Sequence, residues 1–163
     1  MPVAAILFGM RTGVDVHNYL VERDVQHELF NVRGRLRSAE RIASVLDLPP
    51  SQVGKVVVFE SDRGPLAALI PSDREVDAEG VRKAVRAKEV RGTTQARASQ
   101  LSEYLGEAVP PAGLPGVFRV VIDRALAAQD VLYFAAGEAS AVLKLRGKDL
   151  VRATGARVAP IAS

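Results

Sequence analysis

Two apolar segments separated by a short polar turn lie in the first half of the chain. Residues 53–60 read Val-Gly-Lys-Val-Val-Val-Phe-Glu, and residues 65–70 are again mostly apolar. Between them stands Asp62-Arg63-Gly64, which has the composition of a tight turn. Runs rich in β-branched residues on both sides of such a turn predict two antiparallel strands. We therefore expect a β-hairpin at the centre of the fold.

Hydrophobic periodicity predicts further helices and strands around this hairpin. Helices are expected to begin at Asp15, Ser38, Asp77, Thr93 and, as a short one, Lys148. Strands are expected over residues 26–31, 118–122, 131–135, 141–145 and 156–161. Hairpins mixed with crossover helices are typical of an α/β or α+β domain around a mixed sheet. The length of 163 residues fits one such domain.

Composition limits the chemistry that the chain can perform. Cysteine is absent, which excludes disulfides, thiolate metal sites and a cysteine nucleophile. The two histidines, His17 and His27, are too few for a typical catalytic zinc site, so we expect no metal and no cofactor. Motifs for a P-loop, a dinucleotide-binding turn or a serine nucleophile elbow are also absent. We expect a cytoplasmic protein.

The first residues form a short apolar segment. We interpret residues 1–13 as an N-terminal extension and residues 14–163 as the domain. Residues 3–8 are apolar but too short to span a bilayer, and no basic region precedes them. The segment could be an added strand, or Met10 could be an alternative start. No membrane association is expected.

Arginine and lysine are concentrated in two stretches, although the net charge is only +3. The first contains Arg33, Arg35, Arg37 and Arg41. The second contains Arg82, Lys83, Arg86, Lys88, Arg91 and Arg97. Each stretch could be an ordinary solvated surface or a face that binds phosphates in a salt-dependent way. The sequence leaves both interpretations open.

Lys55 lies inside the most apolar strand, where an unpaired lysine is costly to bury. Its stem could pack on the sheet while its ammonium reaches water. Alternatively, it could line a cleft and hold an anionic or carbonyl group. The residue type alone favours the first interpretation.

Two loops are further candidates for ligand contact. Residues 110–116 contain three prolines and two glycines, so this loop has little conformational freedom to lose on binding. Residues 135–140 are small or polar and would let a ligand approach the backbone closely. A rigid connection and a simple turn explain these two segments equally well.

An ordered series of segments resembles the YbaK/ProX family of aminoacyl-tRNA deacylases, which also occurs as an editing domain inserted in bacterial prolyl-tRNA synthetases. The resemblance runs from about Val14 to Ala162. Its segments are Val16-His17-Asn18-Tyr19-Leu20, His27-Glu28-Leu29-Phe30, Ser38-Ala39-Glu40, residues 46–59, residues 67–71, Val76-Asp77, residues 111–115, residues 120–123, Val131-Leu132-Tyr133 with Gly137, and Lys148-Asp149-Leu150.

The resemblance implies a mixed β-sheet or partly closed barrel surrounded by helices. It also implies hydrolysis of the ester between a wrong, small amino acid (alanine, cysteine or serine) and the 3′ end of a tRNA. Lys55 matches the family's functional lysine. The other implied substrate-binding residues are Ser38, Val109, Pro111, Gly113, Gly137, Ser140 and Ala141. In the family, a ribose hydroxyl of the tRNA assists the attacking water, and backbone groups of the Gly/Pro loop orient the ester.

The implied partners are mischarged tRNA and a synthetase, either prolyl-tRNA synthetase or another one. The chain is expected to be a monomer or a weak dimer.

The sequence departs from the family pattern in two places. Glu107 and Ala108 occupy the places of two loop glycines, and Ala141 stands where some members carry a histidine. The departures at Glu107 and Ala108 motivate an alternative function, a non-catalytic module that binds tRNA or a synthetase. An unrelated small-ligand binder using the same cleft is a third option.

Overall fold

The computed structural model describes residues 10–163 of the chain. The possible strand at residues 3–8 lies outside the described residues. The helices are α1 (Gly13–Glu22), α2 (Ala39–Val45), α3 (Ala78–Val85), α4 (Gln95–Ser102), α5 (Arg124–Ala127) and α6 (Gly147–Thr154). The strands are β1 (His27–Asn31), β2 (Gly54–Ser61), β3 (Leu66–Pro71), β4 (Val90–Gly92), β5 (Arg119–Asp123), β6 (Val131–Ala135), β7 (Ala141–Arg146) and β8 (Arg157–Ala159).

The hairpin predicted from the two apolar runs is confirmed. Strands β2 and β3 pair antiparallel, with Val57 opposite Ala68. They form the centre of a five-stranded sheet of order β4-β2-β3-β5-β8, in which β5 pairs parallel with β3 and β8. All six residues of β3 are buried, as expected for a strand covered on both faces. The sheet is therefore mixed, as the sequence predicts.

A second sheet holds the remaining three strands, in the antiparallel order β1-β7-β6. It meets the larger sheet where Val53, just before β2, forms a parallel bridge with Tyr133 of β6. Within residues 10–163 the strands thus form a mixed five-stranded sheet and a smaller antiparallel one, surrounded by helices and not closed into a barrel, in agreement with the α+β fold that the sequence predicts. The main core, which includes Leu69, Ile122 and Phe134, contains residues from both sheets.

Two elements are absent from the predictions, namely strand β4 and helix α5. Strand β4 has three residues, of which two are exposed, so it shows too little alternation to be recognised. Helix α5 has four residues and begins directly after β5, where the Asp123 side chain accepts a hydrogen bond from the Ala125 amide. Elements this short carry almost no periodic signal.

The five predicted helices begin within two residues of their predicted starts. The Ser38 hydroxyl accepts from the Arg41 amide at the start of α2, as its N-cap position predicts. Helix α1 begins at Gly13, capped by the Thr12 hydroxyl, and Arg11 bonds through its amide to the Glu103 carbonyl. Thr94 rather than Thr93 caps α4.

No helix in residues 10–163 combines the length and apolar character needed to cross a bilayer.

The close approach of the two sheets depends on a glycine at the first position of β2. A Cβ atom on Gly54 would lie 2.2 Å from the Phe134 ring, which is fully buried. The backbone of β2 therefore runs directly against an aromatic side chain of β6. Any side chain here would push the two sheets apart next to Lys55.

The Gly54→Ala variant should consequently be destabilised, by roughly 1–3 kcal/mol, because overpacking a close-packed interior forces side chains and backbone to shift. Urea denaturation followed by circular dichroism measures this change. Gly92→Ala is the matched control, since a Cβ on Gly92 meets nothing within 4 Å. Equal stability of the two variants would contradict this account of the sheet contact.

Candidate functional site

Lys55 lines a cavity of about 210 Å³ between the two sheets and helix α2. The residue is half-buried, and its cross-strand neighbour is Ile70. The cavity is lined by Arg37, Ser38, Ala39, Glu40, Gly54, Lys55, Val56, Gln95, Gly106, Glu107, Val109 and Ala135. Within residues 10–163, the Lys55 ammonium forms no ion pair. The cavity thus contains a cation whose charge no carboxylate neutralises directly.

Gly106, Glu107 and Val109 line the same cavity as the lysine. Gly106 is packed so closely that a Cβ atom would lie 2.3 Å from the Gln95 carbonyl oxygen. The Ala108 carbonyl accepts a hydrogen bond from the Gly137 amide at 2.8 Å, which ties this loop to the turn after β6. Within residues 10–163, the amides of Gly106, Glu107 and Val109 donate to no acceptor. They are the kind of main-chain donors that can bind an oxygen of a ligand.

Glu107 brings a carboxylate into this cavity, but the charge is compensated. Its side chain is only 11% exposed, and the Arg35 guanidinium contacts both carboxylate oxygens, with Nε donating at 2.8 Å. Hydrogen bonds from Arg35 hold the pKa of the Glu107 carboxyl below its usual value, and the charges of Arg35 and Arg37 act in the same direction. Glu107 is therefore ionised and engaged at neutral pH, which makes it a weak base.

Four further lining residues, Arg37, Ser38, Ala39 and Glu40, come from the first turn of α2 and the loop before it. The Ser38 hydroxyl faces the cavity while it caps α2 through the Arg41 amide. Arg37, immediately before it, adopts a left-handed backbone conformation with φ of 64° and is exposed. This geometry places a guanidinium and a hydroxyl at the edge of the Lys55 cavity.

Three of the predicted site residues, Ser38, Lys55 and Val109, line this one cavity. Pro111 and Gly113 line a separate, polar cavity of about 540 Å³ beside α1. The expectation that Lys55 and the Gly113 loop share one hollow is therefore wrong. Ala141 lines a third cavity, with His17 and Glu138 among its other walls.

Gly113 is held in place by contacts within the protein. Its φ is 78°, and its carbonyl accepts hydrogen bonds from the Tyr104 hydroxyl at 2.7 Å and from Arg11 at 3.1 Å. Burial raises the pKa of the fully buried Tyr104, so the hydroxyl stays protonated as a donor. The proline-rich loop is thus anchored in a cavity that shares no lining residue with the Lys55 cavity.

Gly137 and Ser140 support the site through their backbones. A Cβ on Gly137 would lie 2.7 Å from the Tyr104 ring, and its φ of 87° also favours glycine. The Ser140 carbonyl accepts from the Val32 amide at 2.9 Å, at the start of the loop that leads to Arg37. Both residues fix loops that line the Lys55 cavity.

Nine lining residues were not among the predicted site residues: Arg37, Ala39, Glu40, Gly54, Val56, Gln95, Gly106, Glu107 and Ala135. Arg37 was visible as part of a basic stretch, and Glu40 follows Ser38 in the α2 start. Gly106 was visible only as a glycine at the beginning of a loop. No pattern in the sequence links Gln95 to Lys55, because their proximity arises from tertiary packing.

The histidines lie away from the Lys55 cavity and bond to each other, with 2.9 Å between His17 Nδ1 and His27 Nε2. In the part of the chain that the structure describes, no three residues of metal-binding type lie close enough to hold an ion. Chemistry at Lys55 must therefore be argued from the amine, the arginines and the backbone amides.

A family model for the aminoacyl-tRNA editing domain matches residues 34–153, which include every residue that lines the Lys55 cavity. The chain belongs to this family. The fold of this editing domain is similar to that of hypothetical protein APE2540, with a TM-score of 0.85, 25% identity, and coverage of 91% of this chain and 99% of the other. No curated protein sequence matches the chain.

A second solved structure, described as "a putative trans-editing enzyme for prolyl tRNA synthetase", superposes with a TM-score of 0.81 at 21% identity. The alignment covers 93% of this editing domain and 96% of that protein. At this identity the likeness establishes the fold alone. A mixed arrangement of strands and helices of this type is therefore common to both proteins.

The ion pair at Glu107 predicts a specific pH dependence of stability. Because its pKa is lowered in the folded state, the carboxylate stabilises the fold fully above its unfolded pKa of about 4.3, and the contribution is lost as the pH falls through the lower folded value. Glu107→Gln should therefore be less stable than wild type at pH 7, with a difference that shrinks below about pH 4.

Urea denaturation midpoints measured from pH 3 to 8 test this expectation. Glu75→Gln, at an exposed residue, is the control and should follow the wild-type curve throughout. A Glu107→Gln difference that does not change with pH would show that the carboxylate is not ionised and paired as described.

Proposed function

We propose that this editing domain is a free-standing hydrolase that removes wrong amino acids from tRNA. The observation that carries the proposal is that one cavity of a chain in the aminoacyl-tRNA editing family is lined by Lys55 and by Gly106, Glu107 and Val109, whose amides have no acceptor within residues 10–163. The substrate is the ester at the tRNA 3′ end, and small residues such as alanine, cysteine or serine are the amino acids removed. Synthetases need such a second step because one methylene changes binding by only ~1–3 kcal/mol.

The proposed reaction relies on positioning rather than on a protein base. The Lys55 ammonium holds the terminal adenosine or the aminoacyl end. The amides of Gly106, Glu107 and Val109 donate hydrogen bonds to the ester carbonyl oxygen as negative charge develops there. Glu107 is a poor general base, because Arg35 contacts both of its oxygens and lowers its pKa. A ribose hydroxyl of the tRNA assists the water instead.

The bond changes are those of ester hydrolysis. Water oxygen attacks the carbonyl carbon, and the bond from that carbon to the ribose oxygen breaks. One proton of the water goes to the ribose oxygen, and the amino acid leaves as a carboxylic acid that releases its remaining acidic proton to solvent and becomes a carboxylate. The gain in rate comes from holding water, ester and donors in one geometry.

Replacing Lys55 with alanine should lower kcat/KM for deacylation by about 10²-fold or more, the usual cost of removing a donor that binds developing charge. The assay follows release of the amino acid from alanyl-, cysteinyl- and seryl-tRNAs mischarged on several tRNA species. Lys148→Ala, at an exposed lysine on α6 outside the Lys55 cavity, is the matched control and should keep wild-type rates. The proposal would be overturned if the wild-type protein released no amino acid from any substrate, or if the Lys55→Ala variant deacylated them as fast as wild type.

The second candidate is a module of the same fold that binds tRNA or a synthetase without turnover. It is favoured by the carboxylate of Glu107 in a cavity that otherwise suits phosphate and carbonyl oxygens. Salt-sensitive tRNA binding without release of amino acid would support this candidate. Multiple turnovers at low enzyme concentration would exclude it.

A further inference from the structure

The loop between β1 and α2 and the first turn of α2 carry three arginines, Arg33, Arg37 and Arg41, that form no ion pair within residues 10–163. All three are exposed. Their neighbour Arg35 differs, since it is paired with Glu107. We call Arg33, Arg37 and Arg41 the arginine rim, because Arg37 itself lines the Lys55 cavity and the other two lie on either side of it in sequence.

The rim is built on a fixed backbone. The Val32 amide donates to the Ser140 carbonyl, and the Leu36 amide donates to the Ala139 carbonyl, both at 2.9 Å. Leu36 is 5% exposed and packs with Ile42 in a small core under the loop. An anchored loop loses little entropy on binding, so its arginines are in place before a ligand arrives.

The local charge balance favours an anion. Arg33, Arg35, Arg37, Arg41 and Lys55 are cationic, whereas Glu40 and Glu107 are the acidic residues of the same loop, helix start and cavity. The Glu107 carboxylate is neutralised by Arg35, so it does not repel a phosphate next to the rim. Guanidinium groups are well suited to phosphate, because they can donate two parallel hydrogen bonds to its oxygens.

The second basic stretch is organised differently. Arg82, Arg91 and Arg97 are paired with Glu79, Glu89 and Glu60. The exposed cations that remain, Lys83, Arg86 and Lys88, lie near the turn after β2, where the Lys88 amide donates to Asp62. Strand β2 separates this turn from Lys55 by about 20 Å, at about 3.3 Å per residue. This stretch is therefore remote from the Lys55 cavity.

We infer that the arginine rim binds consecutive backbone phosphates of the single-stranded 3′ end of a tRNA and so leads the acylated nucleotide into the Lys55 cavity. The inference rests on the proposed function for the identity of the RNA. Beyond that function, the rim supplies a docking surface that determines the direction from which the RNA enters the Lys55 cavity. Base identity plays no part in it, because the rim contacts phosphates.

Equilibrium binding of uncharged tRNA at several salt concentrations tests the inference. Each contact to a single-strand phosphate contributes about 0.7 to the slope of log K against log salt, so the triple variant Arg33→Ala, Arg37→Ala, Arg41→Ala should flatten the slope by about 2. Affinity near 100 mM salt should fall by about tenfold or more. The matched control, Lys83→Ala, Arg86→Ala, Lys88→Ala, removes the same charge at the far end of β2 and should keep the wild-type slope.

A tRNA trimmed of its unpaired 3′ nucleotides gives the second measurement. Wild type should bind it with the flatter slope of the rim variant, and the rim substitutions should then have no further effect. The inference would be overturned if the control variant flattened the slope equally, or if the slope of the rim variant were unchanged. It would also be overturned if the rim substitutions still weakened binding of trimmed tRNA, or if the rim variant lost only synthetase binding. Thermal unfolding verifies that both triple variants are folded.

Activity on two substrates separates this inference from the proposed function. The rim variant should lose at least tenfold more kcat/KM on an aminoacyl-tRNA than on the corresponding aminoacyl-adenosine, which has no phosphate. Wild type that hydrolyses neither substrate but still shows rim-dependent binding would defeat the proposed hydrolase and leave the rim intact. Active wild type with equal losses on both substrates would defeat the rim alone.

Discussion

The contact between Gly54 and Phe134 determines how the two sheets meet. Because β2 carries no side chain at that point, its backbone can lie against the ring, and the preceding Val53 can bridge to Tyr133. Lys55 is the next residue, so its direction is fixed by this contact. Gly54, Lys55 and Val56 all line the cavity, on a strand that pairs with β3 from Gly54 to Phe59. The cavity is thus a product of how closely two sheets can approach.

The sequence predicted the central hairpin, all but two of the helices and strands, and the mixed character of the sheet. These predictions succeeded because β2, β3 and the capped helices carry strong local patterns. It could not predict that the strands divide into two sheets, because that depends on side-chain packing between distant segments such as Gly54 and Phe134. Lys55, Ser38 and Val109 were named as candidates through resemblance to a family, and the structure places them along one cavity. Gly113 was expected beside Lys55 but lines a separate cavity, where its carbonyl accepts hydrogen bonds from Tyr104 and Arg11.

Charge compensation explains how an acidic residue fits in a cavity suited to anions. A glutamate in place of a loop glycine would repel phosphate if it stood alone. Here Arg35 contacts both carboxylate oxygens, and the pair contributes no net charge to the surroundings. The sequence showed the two residues but not their pairing, because 72 positions separate them. Arg35 therefore neutralises Glu107, whereas Arg33, Arg37 and Arg41 form no ion pair within residues 10–163.

The hydrogen bond from the Gly137 amide to the Ala108 carbonyl has a consequence for how the family can be surveyed. It joins a turn of the smaller sheet to the loop whose amides line the cavity, so the position of those donors is set by main-chain geometry. Donors supplied by the main chain persist when side chains are exchanged, provided that the loop keeps its path. Motif searches that demand particular loop glycines would overlook such proteins, whereas superposition of amide nitrogens around the lysine would find them.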